Sequence, residues 1–128
     1  MATVWKVQQL RVYQRALKVL PTLYDLIYSI PEGHQKTRRQ LTSCGEGIAP
    51  LIAEGFAKRR NVIEFLRFLE MAMAESDELL THFEQIKILS KRFRNIKIEL
   101  LPKLAQEYTM ISKELYQLIK NWNKYPKK

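Results

Sequence analysis

The sequence predicts an all-α protein folded as one antiparallel, up-down-up-down four-helix bundle. Three observations carry that prediction. Apolar residues recur at alternating spacings of three and four over long stretches, as in Phe65, Leu69, Ala72, Ser76, Leu79, Phe83 and Ile86. No stretch alternates with the period of two that a half-buried strand requires. The breaks at Ile30-Pro31-Glu32-Gly33, Lys58-Arg59-Arg60-Asn61 and Phe93-Arg94-Asn95 leave only short connections. With 128 residues, the span 1–128 is one domain's worth, with no repeat, low-complexity run or inter-domain linker.

After a lead containing Trp5, the first helix is expected from about Gln8 to Ser29. Leu10, Tyr13, Leu17, Leu20, Tyr24 and Ile27 make its stripe, and Val12, Ala16, Val19, Leu23 and Leu26 broaden it. Pro21 removes the donor that would serve the Leu17 carbonyl. The periodicity keeps phase across it, which predicts a kink rather than two helices. The second helix is expected from Gln35 or Lys36 to Glu54, with Leu41, Cys44, Ile48 and Leu51 or Ile52 on its buried side. Gly45, Gly47 and Pro50 lower its helicity, while the small residues let a neighbour approach. Gly55 is expected to close it in the left-handed conformation.

The third helix follows Asn61, whose side-chain oxygen with Glu64 three residues on reads as a capping box. It should continue to about Ser90. Val62, Ile63, Leu66, Phe68 and Met73 lie off its seam, which suggests a second partner surface. The last helix carries Leu101, Leu104, Tyr108, Ile111, Leu115, Leu118 and Trp122, with Pro102 in its first turn and Ile96 to Leu100 as a lead-in. A basic, mobile tail is expected at about 124–128.

The charge is unusual: 22 Lys+Arg against 13 Asp+Glu give +9 and a pI near 9.8. Such an excess favours polyanions, or serves solubility. It is also unevenly placed. From Lys36 to Arg60 there are Lys36, Arg38, Arg39, Lys58, Arg59 and Arg60 against Glu46 and Glu54. From Asn61 to Ile86 only Arg67 opposes Glu64, Glu70, Glu75, Asp77, Glu78 and Glu84. Lys87, Lys91, Arg92, Arg94 and Lys97 then follow with no acid between them. Up-down connectivity would gather Lys36, Arg38 and Arg39 with that last group at one end. Lys58, Arg59 and Arg60 would meet Lys6, Lys120, Lys124, Lys127 and Lys128 at the other. Basic ends and an acidic waist are the expectation, with the ends neutralising phosphates and Phe93 or Tyr125 stacking on an exposed base. No recognition-helix or zinc-finger spacing offers a route to sequence reading.

Catalysis has no candidate. His34 and His82 have no metal-ligating companion at i+3 or i+4, and neither follows a Glu by three residues as a di-iron motif needs. Cys44 and His82 could meet across two helices as nucleophile and base, but Cys44 falls on a buried side and reads as a structural thiol. Glu75, Asp77 and Glu78 read as a solvated or intersubunit ion-pair face. Gly45-Glu46-Gly47 lacks the third glycine and the preceding strand of a dinucleotide fingerprint. No enzyme activity, metal or cofactor is therefore expected. One cysteine allows no intrachain disulfide. The residues MATVWKVQQL do not read as a signal peptide, and no run of about 18 apolar residues exists. The apolar stripes are taken up by the bundle, so a soluble cytoplasmic protein without membrane association is expected.

Ile52-Ala53-Glu54-Gly55, the basic turn Lys58-Arg59-Arg60, then Glu64-Phe65-Leu66-Arg67-Phe68-Leu69 and Glu78-Leu79 resemble the bacterial four-helix-bundle family of intervening-sequence proteins. Those proteins are encoded within insertions in large-subunit ribosomal RNA genes. Leu10-Arg11-Val12-Tyr13-Gln14-Arg15-Ala16 is similar to that family's opening, and the likeness runs from about Leu10 to Trp122. A sister group is the accessory variability determinant of diversity-generating retroelements, a basic pentamer that binds a reverse transcriptase and its template RNA. The resemblance implies a non-enzymatic bundle, assembled as a homopentameric ring, that contacts nucleic acid, with a reverse transcriptase as a candidate partner. The family's paired arginines and Ser-Ile-Pro segment are replaced here by Thr42-Ser43 and by Gly47-Ile48-Ala49, Pro50 and Leu51, with arginines earlier at Arg38 and Arg39. Two function classes stand: a nucleic-acid-binding accessory protein, and a structural or protein-interaction homo-oligomer.

Overall fold

A computed structural model describes residues 6–122, and among these the regular structure is entirely helical. The expected tail at 124–128, Trp5 and Tyr125 lie outside the described residues. The chain opens with a 3-10 turn, Val7–Gln9, rather than with the α-helix expected from Gln8. Leu10 is extended (φ −76°, ψ 123°) and buried, which anchors the lead and delays the first helix until Arg11. Helices α1 (Arg11–Lys18) and α2 (Leu20–Ser29) are separated by Val19 alone, itself right-handed helical at φ −81° and ψ −17°. Val19 donates to the Arg15 carbonyl and accepts from the Leu23 amide, each at 3.1 Å. The break is therefore a kink just ahead of Pro21, where the missing N–H leaves one bond of the ladder unmade.

Of the expected stripe on this arm Leu10 and Ile27 are buried, and so are all five residues expected to broaden it. Val12, Ala16, Val19, Leu23, Leu26 and Ile30 form the inner row, whereas Leu17 is 44% exposed and Tyr13, Leu20 and Tyr24 are half-buried. Both rows satisfy the three-four spacing. The row with the smaller side chains faces in because α3 approaches closely there: a Cβ on Gly45 would collide with the Leu23 side chain.

Helix α3 (Gln35–Ala57) runs three residues beyond its expected end at Glu54. Gly55 does not close it in the left-handed conformation; no described glycine has positive φ. Instead Gly55 is a contact point. A Cβ there would lie 2.6 Å from Phe68 Cβ and 3.3 Å from the Phe65 ring, so only glycine lets α3 and the next helix meet at this separation. Pro50 sits on the exposed face, where the carbonyl it leaves unbonded can be hydrated. Helix α4 (Val62–Leu89) begins as its sequence implied, with the Glu64 amide donating to Asn61 Oδ1 at 3.2 Å. The reciprocal half of the box is absent: the Glu64 carboxylate accepts from Arg67 at 3.0 Å, which holds it below the usual carboxylate range. After a 3-10 lead-in at Ile98–Leu100, helix α5 (Leu101–Asn121) has Pro102 in its first turn and buries every residue of its expected seam.

Contacts between successive helices pair rising numbers on one with falling numbers on the next. Tyr24 donates to Glu46 at 2.6 Å, and Arg38 bonds the Ile30 carbonyl. Cys44 meets Glu78, and Gly55 meets Phe68. Phe65 packs edge-on to Trp122 at 4.5 Å, while Phe83 lies 5.9 Å from Tyr108. Arg15 closes the set by bridging α1 to Glu107 and Glu114 of α5 at 3.3 and 2.7 Å. The one polar residue in the α4 seam, Ser76, is fully buried and donates to the Tyr108 carbonyl at 2.8 Å, which offsets its desolvation. Among the described residues no helix is long and apolar enough to cross a membrane.

Candidate nucleic-acid interface

The first and third turns come together. His34 stands edge-on to Phe93 with ring centroids 5.2 Å apart, and the Lys97 amide donates to Ser29 Oγ at 3.0 Å. Around this contact Lys36, Arg39, Lys87, Lys91, Arg92, Arg94 and Lys97 are all exposed, and none of them forms an ion pair among the described residues. Arg38 behaves differently. It is half-buried, and its Nε and Nη2 both donate to the Ile30 carbonyl, capping the end of α2.

Two grooves open at this end. One is lined by Tyr28, Pro31, Arg38, Phe93 and Asn95, the other by His34, Thr37, Ile88, Leu89 and Arg92. Phe93 is half-buried and engaged with His34, so its ring is only partly available for stacking. Tyr28, 74% exposed, is the aromatic that stands clear. Sequence reasoning passed over it because it lies off the α2 core row; an aromatic at the solvent-facing position beside a basic turn is the signal that would have found it.

At the opposite end Phe56, Phe65 and Trp122 stack in sequence, joining the end of α3, the start of α4 and the end of α5. Here the basic turn is tied to its own helices. Lys58 pairs with Glu54 at 3.6 Å and lies 4.9 Å above the Phe68 ring. Arg59 is half-buried, with its guanidinium 4.2 Å from the Phe56 ring centroid and its Nη1 donating to the Phe56 carbonyl at 3.0 Å. Arg60, Lys6 and Lys120 are exposed. Lys124, Lys127 and Lys128 lie outside the described residues.

In the waist, Asp77 accepts from Ser112 at 2.6 Å. Glu75 and Glu78 are not ion-paired to any Lys or Arg among the described residues; they turn toward Cys44. The Cys44 thiol donates to Glu78 Oε2 at 3.1 Å, and the same oxygen lies 3.3 Å from His82 Nε2. Cys44 and His82 thus meet, but with a carboxylate between them. Burial and the two carboxylates push the thiol well above its usual range, which is the opposite of what a nucleophile needs. Burial and repulsion from Glu78 likewise raise Glu75, while bonds from Cys44 and His82 lower Glu78. The sequence signal for this cluster is Glu78 four residues before His82, outside the spacings weighed above.

Residues 8–117 match the 23S rRNA-intervening sequence protein family. The chain belongs to that family. The match covers both halves of the kinked first arm, α3, α4 and most of α5, and so includes both basic turns and the waist. Searches of curated proteins and of solved structures found no match.

Proposed function

We infer that this intervening-sequence family protein is a non-enzymatic, basic RNA-binding accessory that acts through phosphate contacts. In this reading the chain is an antiparallel up-down-up-down bundle assembled as a homopentameric ring, with the end bearing the first and third turns as its principal RNA surface. The observation that carries the reading is the group of seven exposed basic residues around the His34–Phe93 contact, none of them ion-paired among the described residues. Counterions released from RNA by such residues favour binding without regard to sequence. In a ring, the group repeats around the axis and weak sites act together on one RNA. A retroelement reverse transcriptase remains the candidate protein partner, on the strength of the sequence resemblance alone.

The test is titration of structured and single-stranded RNA across a salt series. Affinity should fall steeply with salt and alike for unrelated sequences; affinity insensitive to salt would overturn the reading. For the ring, sedimentation at about micromolar protein should give a single species larger than a monomer, since biological interfaces normally hold there. A second reading, a homo-oligomer without a nucleic-acid role, draws on Ile63 (81% exposed) and Ile88 (69% exposed), large apolar side chains on α4 turned away from the core. It predicts the same sedimentation with no salt-dependent RNA binding.

A further inference from the structure

The group formed by Cys44, Glu78 and His82 has no part in RNA binding as read above. Cys44 lies mid-way along α3, and Glu78 and His82 stand one turn apart on α4. Sulfur, oxygen and nitrogen ligand atoms from these three residues all lie within 4.8 Å of one another. The Cys44 Sγ to Glu78 Oε2 distance is 3.1 Å, and that oxygen is 3.3 Å from His82 Nε2. Zinc bonds of about 2.0–2.3 Å in a tetrahedron set ligand atoms roughly 3.3–3.8 Å apart. The two short separations therefore need only a few tenths of an ångström of adjustment, and the thiol and imidazole, within 4.8 Å of each other, have to close to about 3.5 Å.

A hydrogen-bonded cluster accounts for Glu78, which accepts from both neighbours, but it leaves Glu75 unexplained. Glu75 directs a second carboxylate at the same thiol, half-buried and beside Glu78, with no Lys or Arg ion pair to either among the described residues. It lies against α3 at Gly47, where a Cβ would stand in van der Waals contact with Glu75 Oε2 at 3.4 Å. A carboxylate and an imidazole converging on a thiol that a second carboxylate also faces, with no Lys or Arg ion pair among the described residues, form an arrangement that a divalent metal neutralises.

The geometry points to a zinc site in which Cys44 Sγ, His82 Nε2 and Glu78 Oε2 are ligands, with a water completing the tetrahedron and α3 stapled to α4. One thiolate with one imidazole and carboxylate oxygen selects zinc over magnesium or calcium, which take oxygen-only shells. Glu78 is exposed and gives the ion its way in, while Cys44 and His82 are buried and hold it. As the sulfur–zinc bond forms, the thiol proton passes to solvent. The expectation of a metal-free chain rested on spacings within single helices; this donor set is assembled across two.

The test uses the full chain, stripped with a chelator and titrated with cobalt(II) alone, then with zinc(II) as competitor. The expected result is one equivalent per chain, with a thiolate-to-cobalt charge-transfer band that Cys44→Ser abolishes and zinc displaces. His82→Gln and Glu78→Gln should bind at least about 100-fold more weakly, since loss of even an outer-shell partner costs roughly 10–100-fold. His34→Gln should bind as the parent does. Zinc should raise the thermal midpoint of the parent but not of Cys44→Ser. Absence of the charge-transfer band, or equal cobalt affinity in parent and Cys44→Ser, would overturn the assignment. If His82→Gln does not fold, the comparison of parent with Cys44→Ser still decides.

Discussion

At the end built from the first and third turns, Lys36, Arg39, Lys87, Lys91, Arg92, Arg94 and Lys97 project into solvent without ion pairs among the described residues, beside two grooves. At the opposite end Lys58 is paired to Glu54, and Arg59 lies back on Phe56 and bonds its carbonyl. The two turns look alike as charge runs. They differ because α3 ends with an aromatic and an acid, Phe56 and Glu54, within reach of the residues that follow. Charge already satisfied by a ring face, a carbonyl or a carboxylate must break those contacts before it can meet a phosphate. Formal charge and available charge are separate quantities, and only the second should govern polyanion binding.

The largest effect that could break this comparison is replacement of Lys36, Arg39, Arg92 and Arg94 together by Gln. We expect the log–log salt slope of RNA affinity to fall by about three to four units, with near-complete loss of binding at physiological salt. Arg38 is left in place because it caps Ile30, and its loss would disturb folding instead. An unchanged slope would move the binding surface to the other end.

Next in size is a packing prediction. Gly55→Ala puts a methyl group against Phe68 Cβ, an atom that cannot move without the α4 backbone, and should cost about 1–3 kcal/mol in denaturant unfolding. Gly45→Ala meets only the mobile end of Leu23, and its gain in helix propensity of about 1 kcal/mol offsets part of the strain, so it should cost less. The reverse order would show that the second end is not held by close helix approach.

Arg59→Gln should lower stability by about 1–2 kcal/mol through the lost carbonyl bond and ring contact, while the RNA salt slope stays within experimental error. A slope that drops by a full unit would make Arg59 a phosphate ligand and erase the contrast. The smallest effect is expected for Arg60→Gln. Exposed and without an ion pair among the described residues, Arg60 should change the slope by about one unit at most, with no shift in the unfolding midpoint.

The long seams of α4 and α5 were legible in the sequence to the residue, as was the Asn61 cap, whereas the choice between Leu51 and Ile52 on α3 was left open and falls to Ile52, which is fully buried. The seams and the cap depend on spacing or on a side chain meeting its own backbone a few residues away. The first arm was less legible. Two rows with the same periodicity run along it, both read as one broad apolar stripe, and nothing local showed that Leu17 would be exposed and Tyr13 half-buried while Val12 and Ala16 are buried. Gly55 was misread for a related reason. A glycine near a helix end serves either as a left-handed stop or as a place for another helix to come close, and nothing local separates the two.

What the sequence by itself determined, then, is the helical content, most boundaries, the seam residues and the family, because period and capping are short-range properties and residues 8–117 carry the family pattern. What only the tertiary structure decided is which face of the first arm is buried and which arginines are engaged. It also decided that Cys44, Glu78 and His82 share one small volume, with Glu75 against the same thiol. Those outcomes depend on the rotation and separation of neighbouring helices. A rotation that swaps one three-four row for the other leaves every local preference satisfied, and only the fit of Gly45 to Leu23 and of Gly55 to Phe68 selects among the alternatives.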